Sequence, residues 1–332
     1  MINIFGNSRR TRRSRETSVN LDVPLLRWIG PVTTVVAFFV ICGMVLSGQI
    51  NLSALDRFGN DTEGSLITST PVSLDKPLEK SADTIRIGTL CLDGFANASQ
   101  VTPPQVAALA NIISQFDVLA LQGIDPADSS PIRLAVESLR RSGANYVANV
   151  SNPVGRAGHF QAYAMIWDDT RIISPPGSIG VVEDRSDRML FEPMYGSFES
   201  RVGLTDGRSP LRFTLINAYA MPPSNINPAG DIAVLDDVFT SVRNYGYETT
   251  GEEDCILVGN LGVERLRLGE LGQIAGIQSI AGGEGTSQHI LLDPRFTSEY
   301  GGKSGQLETM PLAGIATEFP LWAELSVNEV PR

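Results

Sequence analysis

The residues best suited to chemistry follow short apolar stretches, at the points where predicted strands end. Asp93 and Asp125 occupy such positions, Tyr219 ends another apolar stretch, and Glu318 lies at the start of the last one. Carboxylate oxygens are the ligands that hard divalent cations such as Mg²⁺ prefer, and a tyrosine hydroxyl can donate a proton. One hypothesis is therefore a metal site displaced onto Asp93, Asp125 and Glu318. The alternative is that the two aspartates only stabilise turns, where Asp is common because its side chain binds nearby backbone.

Other kinds of catalytic centre are disfavoured by the sequence. The chain has two histidines, His159 and His289, and neither lies in the setting of a Ser/His/Asp triad, so both are expected to be structural or surface residues. Residues 282–285 are glycine-rich, but no Lys-Ser or Lys-Thr pair follows, as a phosphate loop requires. The three cysteines form no CxxC or Cys/His cluster, which disfavours zinc. We expect Cys91 and Cys255 to be unpaired core thiols, although a disulfide between them stays open.

Strands and helices that alternate without a second linker are predicted to position these residues. The pattern is typical of one α/β domain with mixed sheets and helices outside them. Six apolar stretches lie within residues 84–95, 117–125, 213–222, 254–262, 288–294 and 317–325. Further strands are predicted over 146–150, 162–167, 178–182 and 196–204, and helices over 103–115, 131–142 and 228–245.

Charge is distributed unevenly along the 332 residues. The formal net charge is −11, and residues 1–27 carry six Arg against Glu16 and Asp22, a net of +4 that leaves −15 for the rest. An acidic body lacks the basic surface that non-specific nucleic-acid binding needs. Nucleic acid is therefore disfavoured as a partner.

The N-terminal part has the pattern of a membrane anchor. From Trp28 to Gly48 no charged residue occurs, and a helix of this length matches the hydrocarbon thickness of a bilayer. The arginines before it predict a cytoplasmic tail (1–27), a transmembrane signal anchor (28–48), a polar linker (49–83) and a body outside the cytoplasm, periplasmic or extracellular. A cleaved signal peptide is the main alternative. Lipidation at Cys42 is disfavoured by the bulky Ile41 before it.

Six motifs, in order along the body, carry a family resemblance. They read Leu90-Cys91-Leu92, Leu121-Gln122-Gly123-Ile124, Asn217-Ala218-Tyr219, Gly259-Asn260-Leu261-Gly262, Ser287-Gln288-His289-Ile290 and Ala316-Thr317-Glu318-Phe319-Pro320. Over about 84–326 the chain resembles the endonuclease/exonuclease/phosphatase superfamily. The resemblance implies a deoxyribonuclease-I-like fold over residues 84–328, a four-layer α/β sandwich of two mixed β-sheets flanked by helices, preceded here by one transmembrane helix.

The resemblance also implies what chemistry the motifs should support, a Mg²⁺-dependent phosphoester hydrolysis. The departures from the family pattern are Cys91 for an Asn, Gly123 for the metal-binding Glu, Tyr219 for a catalytic His, Asn260 and Gly262 for the Asp and Asn of one motif, Gln288 for an Asp, and Thr317 and Glu318 for the closing Asp and His. We therefore expect a pseudoenzyme without catalytic residues, metal or other cofactor, which acts by binding or scaffolding. Two alternatives stay open: an active phosphodiesterase or nuclease with a rebuilt Mg²⁺ site, and a purely structural envelope protein.

Overall fold

The computed structural model describes residues 72–73, 80–201, 207–282, 285–308 and 314–329. Within these ranges the strands are β1 (Val72–Ser73), β2 (Thr84–Cys91), β3 (Val118–Ile124), β4 (Tyr146–Val150), β5 (Val154–Arg156), β6 (His159–Asp168), β7 (Ile172–Ile173), β8 (Ile179–Val181), β9 (Met194–Ser200), β10 (Arg212–Tyr219), β11 (Cys255–Asn260), β12 (Gln278–Ala281), β13 (Gln288–Leu292), β14 (Tyr300–Glu308) and β15 (Leu321–Ser326). The α-helices there are α1 (Pro103–Ile113), α2 (Ser130–Arg141) and α3 (Leu235–Thr250).

The strands form two mixed sheets. The first has the order β1-β14-β15-β2-β3-β6-β4, with β5 paired to β6. The second has the order β12-β13-β11-β10-β9-β7, with β8 paired to β9. Each sheet has a parallel pair in its middle, β2 with β3 and β10 with β11, and β1 pairs in parallel with β14 at one edge of the first sheet.

Helices cover the outer face of each sheet. Apolar residues of α1 and α2, such as Leu109 and Ile132, pack in one buried cluster with Leu90 and Leu121 of the first sheet. A second cluster joins Val238 and other residues of α3 to the second sheet. The arrangement of helices, sheet, sheet and helix confirms the predicted α/β sandwich.

The third helix begins later than the sequence predicts. Gly230 has a φ of 72°, and residues Asp231–Val234 form a short 3₁₀ helix before α3 starts. The buried Asp231 carboxylate accepts hydrogen bonds from the backbone N–H groups of Leu190 and Met221. This carboxylate binds two loops instead of capping a longer helix, because it satisfies backbone donors that burial would otherwise leave unpaired.

The predicted anchor (28–48) and cytoplasmic tail (1–27) lie outside the described residues. No helix within the described part of the chain is long and apolar enough to cross a membrane. Part of the predicted linker is described, and it contacts the domain. The Lys80 ammonium donates to the Tyr146 hydroxyl (2.6 Å) and to the Asp168 carboxylate (3.1 Å), and it lies 3.2 Å from the buried Asp117.

Two buried side chains join the sheets through their polar groups. The Asn217 amide of β10 donates to the carbonyls of Leu121 (3.0 Å) and Ala164 (3.1 Å) in the first sheet. Its oxygen accepts from the Gln122 amide (2.6 Å), which also donates to the Thr89 hydroxyl (2.9 Å). Asn217, Gln122 and Thr89 are fully buried. These hydrogen bonds therefore fix the position of one sheet on the other.

Removing this link should destabilise the protein. Asn217→Ala removes three buried hydrogen bonds, two to carbonyls and one from the Gln122 amide, and each contributes about 1 kcal/mol. We expect the free energy of unfolding to fall by about 3 kcal/mol in urea denaturation. Asn225→Ala, on an exposed loop, is the matched control with no expected change. A loss for Asn217→Ala no greater than the control's would contradict this role.

The last described residues connect β15 to the second sheet. The backbone N–H of Leu211 donates to the Val327 carbonyl (2.9 Å), and that of Arg212 donates to the Glu329 carboxyl (2.9 Å). Glu329 lies in a group with Glu252 and Asp254 whose oxygens are all within 4.8 Å of one another. Burial and the nearby carboxylates of Glu252 and Glu299 raise the pKa of Glu329 to about 7.

This raised pKa makes stability depend on pH in a defined direction. A carboxyl whose pKa is higher in the folded than in the unfolded chain contributes most to the free energy of unfolding below about pH 4.5. This contribution disappears as the pH rises through about 7. Glu329→Gln should therefore match the wild type in melting temperature at pH 5 and exceed it at pH 8. Thermal unfolding across this range measures the difference, with exposed Glu248→Gln as the control. An equal effect at both pH values would refute the assignment.

Candidate functional site

Most of the substituted family positions lie at one edge of the sandwich. Cys91 and Asn260 end β2 and β11, Tyr219 ends β10, and Gly123 is the last residue but one of β3. Gln288 begins β13 and pairs with Asn260. Since the carboxyl ends of parallel strands meet at the same edge, the two parallel pairs bring these residues to one cleft between the sheets.

Gln288 connects three parts of this cleft. Its side-chain oxygen accepts a hydrogen bond from the backbone N–H of Cys91 (3.0 Å) in the other sheet. Its amide donates to the Phe319 carbonyl (3.2 Å) in the segment before β15. The side chain is fully buried. Both ends of the amide are thus used in holding the structure together.

Gly123, which the resemblance aligns with a metal-binding Glu, has a backbone conformation that disfavours a side chain. Its φ is 75°, and the pairing of β3 with β6 is irregular between Leu121 and Ile124. A Cβ placed there would lie 3.2 Å from the Leu92 carbonyl oxygen. Its N–H donates to the Gln161 side chain (2.8 Å). A carboxylate at this position would require backbone strain and a shift of a few tenths of an ångström at Leu92.

Gly262 is constrained in a similar way. It has a φ of 65°, and an added Cβ would lie 2.6 Å from the Ala220 carbonyl oxygen. Its N–H donates to the Asn260 side-chain oxygen (2.9 Å), so this oxygen is directed at the protein's own backbone. The turn after β11 therefore leaves no room for the family's Asn at residue 262.

Cys91 is not suited to act as a nucleophile. Burial, followed by the adjacent Asp93 carboxylate, strongly raises the pKa of the thiol. The thiol donates to that carboxylate at 3.5 Å, and only a thiolate is strongly nucleophilic. Cys91 and Cys255 are both free and buried, which confirms the expectation of unpaired core thiols.

Tyr219 is also unsuited to replace a catalytic histidine near neutral pH. Burial raises the pKa of its phenol, and Cys91 and Asp93 raise it further. The ring packs edge-on against Phe191 at 5.5 Å between centroids. Its backbone N–H donates to the buried Tyr163 hydroxyl (3.2 Å). A general acid works best with a pKa near the operating pH, which this group does not have.

The closing segment holds Thr317 and Glu318 by separate sets of hydrogen bonds. Thr317 donates its N–H (3.2 Å) and its hydroxyl (2.5 Å) to the Asp93 carboxylate. The Glu318 carboxylate accepts from the Ser287 hydroxyl (2.7 Å) and from Thr286. Burial opposes ionisation of Glu318, but these hydrogen bonds outweigh it and lower its pKa. It stays charged at neutral pH and cannot act as a proton donor there.

The three carboxylates of the displaced-site hypothesis do not converge. Asp93 binds Thr317, Glu318 binds residues 286–288, and Asp125 accepts from the backbone N–H groups of Ala98 and Ala127 (both 2.8 Å). The one group of three metal-ligating side chains found in the described ranges is Glu252, Asp254 and Glu329. Glu252 and Asp254 precede β11, whereas Asn260 ends it, six residues after Asp254 and so about 20 Å away at ~3.3 Å per residue.

One histidine is buried and the other is exposed. His289 is fully buried, with Nε2 2.8 Å from the Val263 carbonyl and Nδ1 3.1 Å from the Ser279 hydroxyl. Burial lowers its pKa, so it is neutral at pH 7. His159 is exposed at the start of β6.

Two features of the site are not evident from the sequence. Gln161 and Tyr163, in β6, link Gly123 to Tyr219 through hydrogen bonds of 2.8, 3.5 and 3.2 Å. A cavity of about 400 Å³ also opens beside Phe191, which neighbours Gly155. The cavity is lined by Asn152, Pro153, Val154, Gly155, Val181, Val182, Glu183, Asp184 and Glu192. In the sequence, the only signal of the hydrogen-bonded link is that polar residues stand at alternate positions of β6.

Comparison with known proteins identifies the fold. No family model and no curated protein sequence matches the chain. A solved endonuclease/exonuclease/phosphatase family protein from Bacteroides thetaiotaomicron is similar at 12% identity and a TM-score of 0.52, over 74% of this chain and 98% of the other. One from Bacteroides vulgatus matches at 12% identity and a TM-score of 0.52, over 75% and 100%. A functionally unknown conserved protein from Enterococcus faecalis matches at 13% identity and 0.50, over 74% and 100%.

These likenesses confirm the predicted resemblance at the level of fold. The described domain has the architecture of endonuclease/exonuclease/phosphatase proteins, while identities of 12–13% leave its activity to be argued from its own residues.

The backbone at Gly123 gives a test of whether the family's carboxylate can be restored. Gly123→Glu and Gly123→Ala should both destabilise the protein by about 1–3 kcal/mol, because a non-glycine residue is strained at this φ and its Cβ meets Leu92. Gly143→Ala, also at positive φ but with no atom near the added Cβ, separates the strain from the contact. Urea denaturation measures stability, and Mn²⁺ titration should show no binding gained by Gly123→Glu. A stable, metal-binding Gly123→Glu would contradict this conclusion.

Proposed function

We propose that the chain is a membrane-anchored protein whose extracytoplasmic phosphoesterase-like domain is catalytically inactive and acts by binding or scaffolding. The supporting observation is the state of the cleft: Gly123 offers no ligand, and the polar groups of Gln288 and Glu318 are bound to the protein itself. Loss of even one such group from an active site typically costs two or more orders of magnitude in rate.

The cleft does not fit the divalent cation that the fold family implies. Mg²⁺ needs near-octahedral oxygen coordination, anchored by one or two carboxylates. Asp93 and Glu318 are the nearest carboxylates, and each accepts hydrogen bonds from a different part of the backbone. Both Gly123 and Gly262 have a positive φ, and an added Cβ would lie 3.2 Å from the Leu92 carbonyl oxygen and 2.6 Å from the Ala220 carbonyl oxygen, respectively. We therefore derive no catalytic step through a metal.

The membrane part of the proposal rests on the sequence. The uncharged 28–48 segment follows an arginine-rich tail, which favours a cytoplasmic N-terminus and a domain outside the cytoplasm. The membrane is then one partner. The net charge of −15 beyond residue 27 disfavours nucleic acid as another. The acidic cavity beside Phe191 supplies a concave surface for a protein or small-ligand partner.

A purely structural envelope role is the second candidate. It is favoured by how tightly the cleft is packed, since Cys91, Leu261 and Gln288 are each at most 3% exposed. Cross-linking of the protein's side chains in intact membranes would distinguish the scaffolding role from the purely structural one. Scaffolding requires a reproducible partner, and a purely structural envelope protein does not.

Catalytic inactivity is tested with the full-length protein purified in detergent. In the presence of Mg²⁺ or Mn²⁺ it should not hydrolyse DNA, RNA, phospholipid or sugar-phosphate diesters above the level of a metal-free sample. Metal-dependent turnover that disappears in Asp125→Ala or Glu318→Ala, but not in exposed Asp128→Ala, would overturn the proposal in favour of a rebuilt active site.

A further inference from the structure

The Glu318 carboxylate lies in a pocket of hydrogen-bond donors at the start of β13. One oxygen accepts from the Ser287 hydroxyl (2.7 Å) and the Ser287 N–H (3.2 Å). The other accepts from the Thr286 hydroxyl, from the Gln288 N–H (3.3 Å) and, at 3.4 Å, from the Gln288 amide. We call residues 286–288 the donor cradle.

All of these donors are neutral. The charge of Glu318 is stabilised by hydroxyl and N–H groups, of which hydroxyls on Thr286 and Ser287 lower its pKa most. Several convergent N–H and O–H groups around a carboxylate make the same kind of site that binds free oxyanions in proteins. The occupant in this case is covalently part of the chain.

The cradle is held in place by contacts that do not involve Glu318. Gln288 pairs with Asn260 in the β11–β13 ladder, and its side chain is oriented by the Cys91 N–H and the Phe319 carbonyl. The Thr286 hydroxyl also accepts from the Gln288 N–H (3.1 Å). Because these contacts fix Gln288 and the backbone beside it, the N–H donors of the cradle should remain in position when the carboxylate is removed.

We propose that the donor cradle is an oxyanion-binding site that Glu318 occupies as an internal ligand, which excludes inorganic phosphate and phosphate monoesters from the cleft. This deepens the proposed function, on which it rests, by identifying what closes the cleft. Glu318 is half-buried, so the cradle opens to solvent and a free anion can reach it. A tethered carboxylate competes at an effective concentration of about the millimolar range or higher, above most free ligands.

The Asp93 carboxylate limits how tightly the donor cradle can bind an anion once the Glu318 carboxylate has been removed. Asp93 binds the N–H and hydroxyl of Thr317, the residue beside Glu318. Its carboxylate will repel a phosphate dianion bound next to it. Replacing Asp93 by Asn should therefore strengthen anion binding once Glu318 has been removed.

The test is calorimetric titration of the full-length protein in detergent with inorganic phosphate. Glu318→Ala is expected to bind phosphate at least about tenfold more tightly than the wild type, a difference of ~1.4 kcal/mol. Asp93→Asn combined with Glu318→Ala should bind more tightly still. Exposed Glu264→Ala, on a neighbouring loop, should behave like the wild type.

Phosphate binding by Glu318→Ala that is no tighter than by Glu264→Ala would overturn the proposal and leave Glu318 as a structural contact. If Glu318→Ala fails to fold, Glu318→Ser is titrated instead. For either variant, recovery of folded protein in about 50 mM phosphate counts as binding, because a ligand that binds only the folded state stabilises it. Failure of both variants to fold with phosphate present also overturns it. Hydrolysis of phosphoesters by the wild-type protein is a different outcome, and it would refute the proposal that the domain is catalytically inactive.

Discussion

The buried amide of Asn217 is the contact on which the rest of the domain depends. It donates to two carbonyls of the opposite sheet and accepts from Gln122, so that two sheets with different strand orders have one relative position. An apolar interface alone would tolerate sliding, because hydrophobic contact is not directional. The hydrogen bonds remove that freedom and bring the ends of β2, β3, β10 and β11 to the same edge. Every distance in the cleft follows from this alignment.

The alignment is reinforced by hydrogen bonds that connect the strand ends across the cleft. In an enzyme of this architecture, a cation would hold the strand ends together by binding several of them at once. In this protein Gln288 bonds to Cys91 across the sheets and to Phe319 in the closing segment, while Glu318 and Asp93 bind separate donors. Protein–protein hydrogen bonds thus supply the connections between strands, and they leave few polar groups free to bind anything else.

The sequence predicts the scaffold better than the site. Apolar runs such as 118–121 and 255–258 mark buried strands because their side chains must leave water, and the two mixed sheets follow from them. The start of α3 could not be predicted, since it depends on Asp231 binding the distant backbone of Leu190. In the site, the order of the motifs locates Cys91, Gly123 and Gln288 at strand ends. Their partners lie up to 197 residues away, so hydrogen bonds such as those of Glu318 become evident only once the chain is folded.

The two constrained glycines have a consequence for substitution. At Gly123 and Gly262 the backbone has a positive φ that suits glycine, and an added Cβ would lie 3.2 Å from the Leu92 carbonyl oxygen and 2.6 Å from the Ala220 carbonyl oxygen, respectively. A single substitution at either position therefore meets a conformational penalty whatever the chemistry of the new side chain. Any new group at these two strand ends has to be introduced together with a change in the main chain around it.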